Sequence, residues 1–338
     1  MNRFIFCIVL AMCSVNAAAQ RVIVKHPALR YHLATNTYAL DFPATSGRNA
    51  LPSVAWSSKT LIDPQVDVQI ERNKSGGEFE YRYVVRNGAT ARQKITLFAL
   101  APIDSIAGVD RIKGLAFGER IGYQAGTDGA KRQQTSALLS NQTKLAVQTN
   151  GKNWRPTIAH FPELGRGAQL SLMDFSDDMR GMDRDQSMSF RFKSNGLPGL
   201  ISIPFEGDID IPLLPSEEDR TDAQTEAWYK VQKEDVFNVT TIAPRYAAPA
   251  PYRSAQIVDA ISVEVGAWKA QKIVPTASAD QVFKWLSQLA LTPATNQAGR
   301  VAIINDLRNY LHAKQDTPSA VQQLIDIYVD LLLNPPDK

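Results

Sequence analysis

Cysteine is almost absent from this chain of 338 residues. The two that it has, Cys7 and Cys13, both stand close to the N-terminus. From residue 20 onward there is no thiol for catalysis, for redox chemistry or for a structural zinc site. That part of the chain must also fold without disulfides, which a chain of this length can do with an ordinary apolar core.

Histidine is scarce too, and the familiar catalytic motifs are missing. The four histidines are His26, His32, His160 and His312. His26 and His32 have no further metal ligands at a recognisable spacing, and His160 is the one imidazole that we would test beside a nucleophile. There is no G-x-S-x-G, H-E-x-x-H or phosphate-binding glycine motif. The sequence therefore predicts no catalytic residue, no cofactor and no enzyme.

Charge of one sign is not concentrated anywhere in the chain. Charged residues make up 21% of the sequence, and the formal net charge is +3. A nucleic-acid binder usually gathers its basic residues on one element, so nucleic acid is not an expected partner. The apolar runs beyond the N-terminus are shorter than the ~20 residues that a spanning helix needs. We expect no transmembrane segment after signal removal, and an unknown protein or surface as partner.

The N-terminus has the pattern of a secretory signal peptide. Arg3 gives a positive start, residues 4–15 are apolar, and residues 17–19 are all alanine. This pattern predicts cleavage between Ala19 and Gln20 and an exported protein, periplasmic or extracellular. A lipid on Cys13 is the alternative, although a methionine precedes it where lipidation favours a small residue.

A strand of alternating side chains is the clearest structural signal. In residues 79–86, the aromatic and aliphatic side chains alternate with Glu80, Arg82 and Arg86, as in a half-buried strand. Asn87-Gly88 then predicts a turn with positive φ into a strand over residues 94–100. With the alternating residues 66–70, these segments predict a three-stranded antiparallel meander.

Further strands are predicted at residues 168–175, 189–193 and 200–207. Turn residues such as Asn195-Gly196 and Pro198-Gly199 separate the last two. Because strand pairs bracket a long irregular middle, residues 20–215 are expected to form an antiparallel β-sandwich of immunoglobulin-like architecture.

The hydrophobic period changes from two to 3.6 in the C-terminal part. Residues 216–251 form the connecting segment, with a short helix around Trp228, a strand over residues 237–242 and a Pro/Ala linker over residues 243–251. Residues 252–334 carry four apolar helical stripes, with Ser278 and Thr317 as expected N-caps. The predicted class is therefore α+β and multi-domain: signal peptide 1–19, sandwich 20–215, connection 216–251 and a small helical bundle 252–334.

The order of these parts resembles that of exported bacterial β-sandwich proteins of unknown function. The resemblance rests on the aromatic hairpin, on Ser194-Asn195-Gly196-Leu197-Pro198-Gly199 and on the Pro-rich linker. Residues 307–332, two amphipathic helices around Ala320, are similar in layout to the FIMAH-type helical domain of such proteins. The resemblance implies an architecture and no reaction.

An acidic loop is the candidate metal site. Carboxylates cluster between residues 174 and 185, and oxygen ligands of this kind suit calcium. The calcium candidates are Asp177, Asp183 and Asp185. Since Arg180 and Arg184 interrupt the cluster, a solvated loop with local ion pairs is the other interpretation.

Two tryptophans, Trp56 and Trp154, are the candidate ligand-stacking residues. Indole rings stack on sugar faces, but in a sandwich they more often belong to the core. The leading hypothesis is thus an exported, non-enzymatic binding or structural sandwich with a helical interaction module. The alternative is a secreted carbohydrate-binding or carbohydrate-active domain, which requires exposed tryptophans beside paired carboxylates.

Overall fold

The computed structural model describes most of the chain from residue 20 to residue 334. The described ranges are 20–43, 49–72, 78–102, 148–149, 154–160, 168–174, 181–194, 196–208, 214–246 and 253–334. The expected signal peptide, residues 1–19, and the calcium candidate Asp177 lie outside these ranges.

The described residues form mainly strands as far as Tyr246, with one helix before the last strand, and four further helices after it. The strands are β1 Gln20–Arg21, β2 Leu29–His32, β3 Thr37–Phe42, β4 Leu51–Ser57, β5 Pro64–Arg72, β6 Phe79–Asn87, β7 Ile95–Pro102, β8 Gln148–Thr149, β9 Trp154–His160, β10 Ala168–Asp174, β11 Ser187–Ser194, β12 Leu197–Gly207 and β13 Phe237–Tyr246. The helices are α1 Asp222–Glu234, α2 Ser254–Ala270, α3 Thr276–Leu291, α4 Gln297–Ala313 and α5 Ser319–Leu333.

The strands form three antiparallel sheets. The first has six strands in the order β1-β13-β12-β7-β10-β9, the second has four in the order β5-β6-β11-β8, and the third has three in the order β2-β3-β4. Together with the helices they make a mixed α+β protein, as predicted. The finer expectation of an immunoglobulin-like sandwich stays a prediction.

Strand β6 has the alternation that its sequence predicts. Phe79, Tyr81, Tyr83 and Val85 are buried. The ring of Tyr83 stacks on Phe190 of β11 at 4.8 Å between centroids. Its hydroxyl donates to the carbonyl of Ile242 on β13 at 2.8 Å, so the aromatic face of the four-stranded sheet contacts the six-stranded sheet.

The predicted three-stranded meander is wrong in its third strand. Strand β5 pairs with β6 as expected, but β7 pairs with β10 and β12 in the other sheet. Gly88 does not have positive φ. A Cβ there would instead clash with the side chains of Asp63 and Gln65. Asn87 donates to the carbonyls of Gln93 and Met182, so the chain after β6 crosses between sheets rather than folding back in one.

The connecting segment contains more regular structure than a linker. Helix α1 surrounds Trp228 and starts with a capping box of Thr221 and Gln224. Strand β13 continues to Tyr246 because it pairs with β12 as far as Leu197. The first four residues of the expected linker are therefore strand.

Helices α2 to α5 occupy the four predicted positions. Helices α2 and α5 pack on β12, and α3 and α4 pack on these two and on each other. The predicted N-caps are wrong: α3 and α5 have Pro275 and Pro318 at their N-caps, both in an extended conformation. Ser278 is instead a buried residue inside α3. In the part of the chain that the structure describes, no helix is long and apolar enough to cross a membrane.

Two separate clusters of buried apolar residues form among the described residues. The main cluster joins the six- and four-stranded sheets to helices α2 to α5. The small cluster joins the three-stranded sheet to α1, through Tyr38, Leu40, Trp56, Ala227 and Val231.

Candidate functional site

The two candidate stacking tryptophans both lie in the core. Trp56 is 5% exposed and Trp154 is 8% exposed. The Trp56 ring lies 5.1 Å from the ring of Trp228, and that of Trp154 lies 5.4 Å from Phe98. Both rings are buried against other aromatic side chains, so this arrangement offers neither ring to a sugar.

The acidic loop does not gather its carboxylates in the described part. Asp183 lies 3.5 Å from the Lys94 amine, and Asp185 lies 3.8 Å from Arg184. Among the residues that the structure describes, no three acidic, histidine or cysteine side chains are placed to hold a metal. Asp183 and Asp185 thus form local ion pairs, and calcium binding stays a prediction that includes the undescribed Asp177.

His26 has a role in local structure. Its Nδ1 accepts a hydrogen bond from the backbone N–H of Ala28 at 3.2 Å, and its Nε2 lies 3.8 Å from Glu226 on α1. This fits a half-buried imidazole that holds a turn. His160 lies in β9 opposite Ala168, at the end of that strand pair.

Among the described residues, two buried clusters of polar groups are each built on one carboxylate. The first, the Glu264 node, consists of Glu264, Trp268, Arg245 and Leu200. Glu264 is fully buried on α2. Its Oε1 accepts from Arg245 Nη1 at 2.9 Å, and its Oε2 accepts from the backbone N–H of Leu200 at 3.1 Å and from Trp268 Nε1 at 3.0 Å. A buried carboxylate is tolerated because each oxygen has donors.

The stretch at the start of β12 is shaped to receive the helices. A Cβ at Gly199 would lie 2.5 Å from Glu264 Oε1, so only glycine allows this approach. The hydroxyl of Tyr328 on α5 donates to the carbonyl of Pro198 at 2.6 Å, and that of Tyr81 donates to the carbonyl of Gly196 at 3.0 Å. Helices α2 and α5 therefore pack on the turn-like sequence around Pro198.

Helix α5 also covers the outer strand of the four-stranded sheet. Gln323 Nε2 donates to the carbonyl of Val68 on β5 at 3.1 Å. Arg72 at the end of β5 donates to the carbonyl of Asn334 at 2.6 Å and lies 3.5 Å from Asp330. The Gln323 side chain thus satisfies a backbone carbonyl of the edge strand, and the Arg72 side chain holds the end of α5 beside it.

The second cluster, the Asp235 node, lies where α1 leads into β13. Asp235 is fully buried. Its Oδ2 accepts from the backbone N–H of Lys59 at 2.7 Å, and its Oδ1 accepts from the Ser58 and Tyr38 hydroxyls at 2.8 and 3.2 Å. Burial raises the pKa of Asp235 above its ordinary value, against the opposing effect of these donors.

Lys59 extends the Asp235 node toward the six-stranded sheet. Its Nζ is buried, donates to the carbonyl of Gln232 at 2.7 Å and lies 3.2 Å from Glu206 of β12. The backbone N–H of Gly207 donates to the Lys59 carbonyl at 2.9 Å. One short stretch of chain thus connects the three-stranded sheet, α1 and β12.

The outward face of the four-stranded sheet carries exposed charges in a ladder. Arg82 contacts Glu71 at 3.0 Å and Glu80 at 2.8 Å, and Arg191 lies 3.6 Å from Glu80. The hydrogen bond from Arg82 lowers the pKa of Glu80. Because these carboxylates and guanidinium groups pair with one another and are partly exposed, the ladder is a set of surface ion pairs.

Comparison with known proteins identifies no relative of this chain. Neither a family model, nor a curated protein, nor a solved structure matches the chain. The resemblance to exported sandwich proteins with a FIMAH-type module therefore stays a prediction.

Sequence reasoning missed both buried carboxylates. Glu264 had a detectable signal, since it stands in the apolar stripe of α2 beside Ile261, Val265 and Trp268, where a charge requires a partner. Asp235 had none, because a carboxylate between a helix and a strand is usually exposed. Its donors come from residues 38–59, far away in sequence.

Proposed function

We propose that this is an exported protein that acts by binding or by structure and not by catalysis. Its two larger sheets would form the sandwich body, and its helices would mediate contacts with a protein or surface partner. The support for export is the signal-like pattern of residues 1–19. The support for a non-catalytic role is the lack of thiols and catalytic motifs from residue 20 onward.

The observation that carries the proposal is that the two buried carboxylates hold elements of the fold together. Glu264 binds the start of β12 to α2, and Asp235 binds Lys59 to the end of α1. Each carboxylate accepts hydrogen bonds from donors of its own chain. This favours a structural role for these carboxylates over a catalytic one. The carbohydrate alternative loses its support, because Trp56 and Trp154 are buried.

The helices offer the more specific surface for a partner. Leu291 at the end of α3 is 83% exposed, and Val301 on α4 is 41% exposed. Leu291 lies on α3 and Val301 on α4. These two helices pack on α2 and α5, which are the helices that contact β12. We propose these exposed apolar side chains as part of a surface that contacts a partner.

A capture experiment with matched variants tests this proposal. Mature protein carrying an affinity tag would be incubated with an envelope extract of its own organism, beside Leu291→Asp and Val301→Asp. Leu33→Asp is the control, because Leu33 is 70% exposed but lies beyond β2 in the small sheet. We expect a partner that the wild type and Leu33→Asp retain and the helix variants lose. Equal capture by all four proteins would contradict the helical contact surface.

A further inference from the structure

The side chain of Asn87, the last residue of β6, joins three separate segments of the chain. It is fully buried. Its Nδ2 donates to the carbonyls of Gln93 and Met182 at 2.8 and 3.0 Å, and its Oδ1 accepts from the backbone N–H of Asp63 at 3.0 Å. Both donor hydrogens of the amide are therefore used, together with its oxygen, and only a carboxamide offers this combination.

Gly88, the next residue, is also buried and closely surrounded. Its backbone N–H donates to the carbonyl of Asp63 at 2.7 Å. A Cβ at Gly88 would clash with the carboxylate of Asp63, which is itself held by the backbone N–H and the hydroxyl of Thr90 at 3.2 and 2.6 Å. The fold thus favours asparagine followed directly by glycine at this point.

This dipeptide is chemically labile, because glycine does not hinder the approach of its own nitrogen to the preceding amide. The Gly88 nitrogen loses its proton and attacks the side-chain carbonyl carbon of Asn87. A C–N bond forms between them, the bond to Nδ2 breaks, and ammonia leaves with the proton. Water then opens the cyclic imide to give aspartate or isoaspartate.

We propose that Asn87-Gly88 is a deamidation site that the folded chain protects and whose product no longer fits the fold. In the folded protein the hydrogen bonds to Asp63, Gln93 and Met182 hold the two reacting groups, and burial keeps water from them. In an unfolded chain these contacts are broken. After deamidation, a carboxylate without a donor hydrogen would face the carbonyls of Gln93 and Met182 as a buried, unpaired charge.

Peptide mapping by mass spectrometry tests the protection. The whole chain would be kept in mildly alkaline buffer with and without urea, and conversion of Asn87 would be followed with time. We expect conversion to be roughly a hundredfold faster or more in urea, because a protected site reacts only in the small fraction of chains that is open. Asn150-Gly151 and Asn195-Gly196 are the same dipeptide and serve as controls, with a rate in urea similar to that of Asn87. Equal conversion of Asn87 with and without urea would overturn the proposal.

Asn87→Asp tests whether the product fits the fold. At a fixed urea concentration, we expect the ratio of unfolded to folded chain to rise by roughly tenfold or more, since two buried carbonyls lose their donor. Asn309→Asp is the matched control, because it makes the same change at an exposed position of α4 and should leave the ratio unchanged. An Asn87→Asp protein as stable as this control would contradict the proposal.

A second measurement applies if Asn87→Asp does not fold at all. Wild-type chain that has been partly deamidated in urea would be refolded, and the folded fraction would be separated and mapped. We expect the folded fraction to be depleted of chains modified at Asn87. Modified chains present equally in the folded and unfolded fractions would overturn the proposal.

Discussion

At the scale of single residues, Tyr83 combines apolar burial with one buried hydrogen bond. Its ring packs on Phe190, and its hydroxyl satisfies the Ile242 carbonyl. Its burial was predictable, because a one-residue slip of β6 would have turned Arg82 and Arg86 inward. The hydroxyl's partner was not, since β13 lies 159 positions away in sequence.

We expect Tyr83→Ala to lower the free energy of unfolding by ~3–5 kcal/mol, as removal of a core aromatic does. Tyr83→Phe should cost about 1–3 kcal/mol, because it leaves the buried Ile242 carbonyl without a donor. Urea unfolding followed by circular dichroism measures both. The control is Tyr229→Ala, whose side chain is 58% exposed and should matter little. If the Tyr83→Ala protein were as stable as this control, our assignment of the buried face of β6 would be wrong.

Asp235 gives a second prediction at this scale, on pH. Its pKa is raised in the folded protein, so the folded state retains a proton that the unfolded chain has already released. Stability from this group is therefore greatest below an ordinary aspartate pKa of about 3.9, and it falls as the pH rises toward the higher folded pKa.

Asp235→Asn removes this titration. The stability difference between the wild type and the variant should change with pH across that window and become constant above it. Thermal melts at closely spaced pH values measure the difference. A difference that does not vary with pH would show that the Asp235 pKa is the same in the folded and unfolded chains.

At the scale of elements, the seating of α2 on β12 depends on the lack of a side chain at Gly199. Gly199→Ala would bring a Cβ to 2.5 Å from Glu264 Oε1 and 2.8 Å from Arg245 Cδ. Either the helix or the strand must shift, and we expect a cost of about 1–3 kcal/mol.

Gly266→Ala, on helix α2 itself, is the control for this substitution. Its new Cβ would meet nothing nearer than Phe283 Cζ at 4.0 Å, and alanine favours a helix over glycine by roughly 0.5–1 kcal/mol. The two melting temperatures should therefore move in opposite directions. A Gly199→Ala protein that melts like the wild type would mean that the Glu264 node does not require this close approach.

The sequence predicted single elements better than their partners. The alternation of β6 and the stripes of α2 to α5 reflect which face of each element is buried, and that is a local property. Which sheet receives β7 depends instead on its pairing with β10 and β12, two strands far away in sequence. The helix starts at Pro275 and Pro318 differed from the predicted caps, because proline already supplies the extended backbone that an N-cap needs.

At the scale of the whole molecule, the helical module is tied to the sheets at several points. Arg245 meets Glu264 on α2, Pro198 accepts from Tyr328 on α5, and Arg72 lies beside Asp330. The boundary between a sandwich of residues 20–215 and a helical unit of residues 252–334 stays a prediction, and these contacts define how to test it.

We expect a protease to cut first in residues 247–251, which are Pro/Ala-rich and lie between β13 and α2. After this single cut the two fragments should still elute together on size exclusion, because the contacts between the helices and the sheets do not require the linker. Glu264→Gln should weaken the association, and denaturant should separate the fragments. Fragments of the wild-type chain that separate without denaturant would show that the contacts contribute little.

Export is the premise on which every proposed role of this protein depends, and one measurement tests it most directly. The protein would be expressed with its complete sequence in a bacterium, recovered from the periplasm and the medium, and weighed intact by mass spectrometry. We predict a chain that begins at Gln20, contains no thiol and is found outside the cytoplasm. A chain that stays in the cytoplasm with residues 1–19 attached, or one that keeps Cys13 with a lipid on it, would contradict this account.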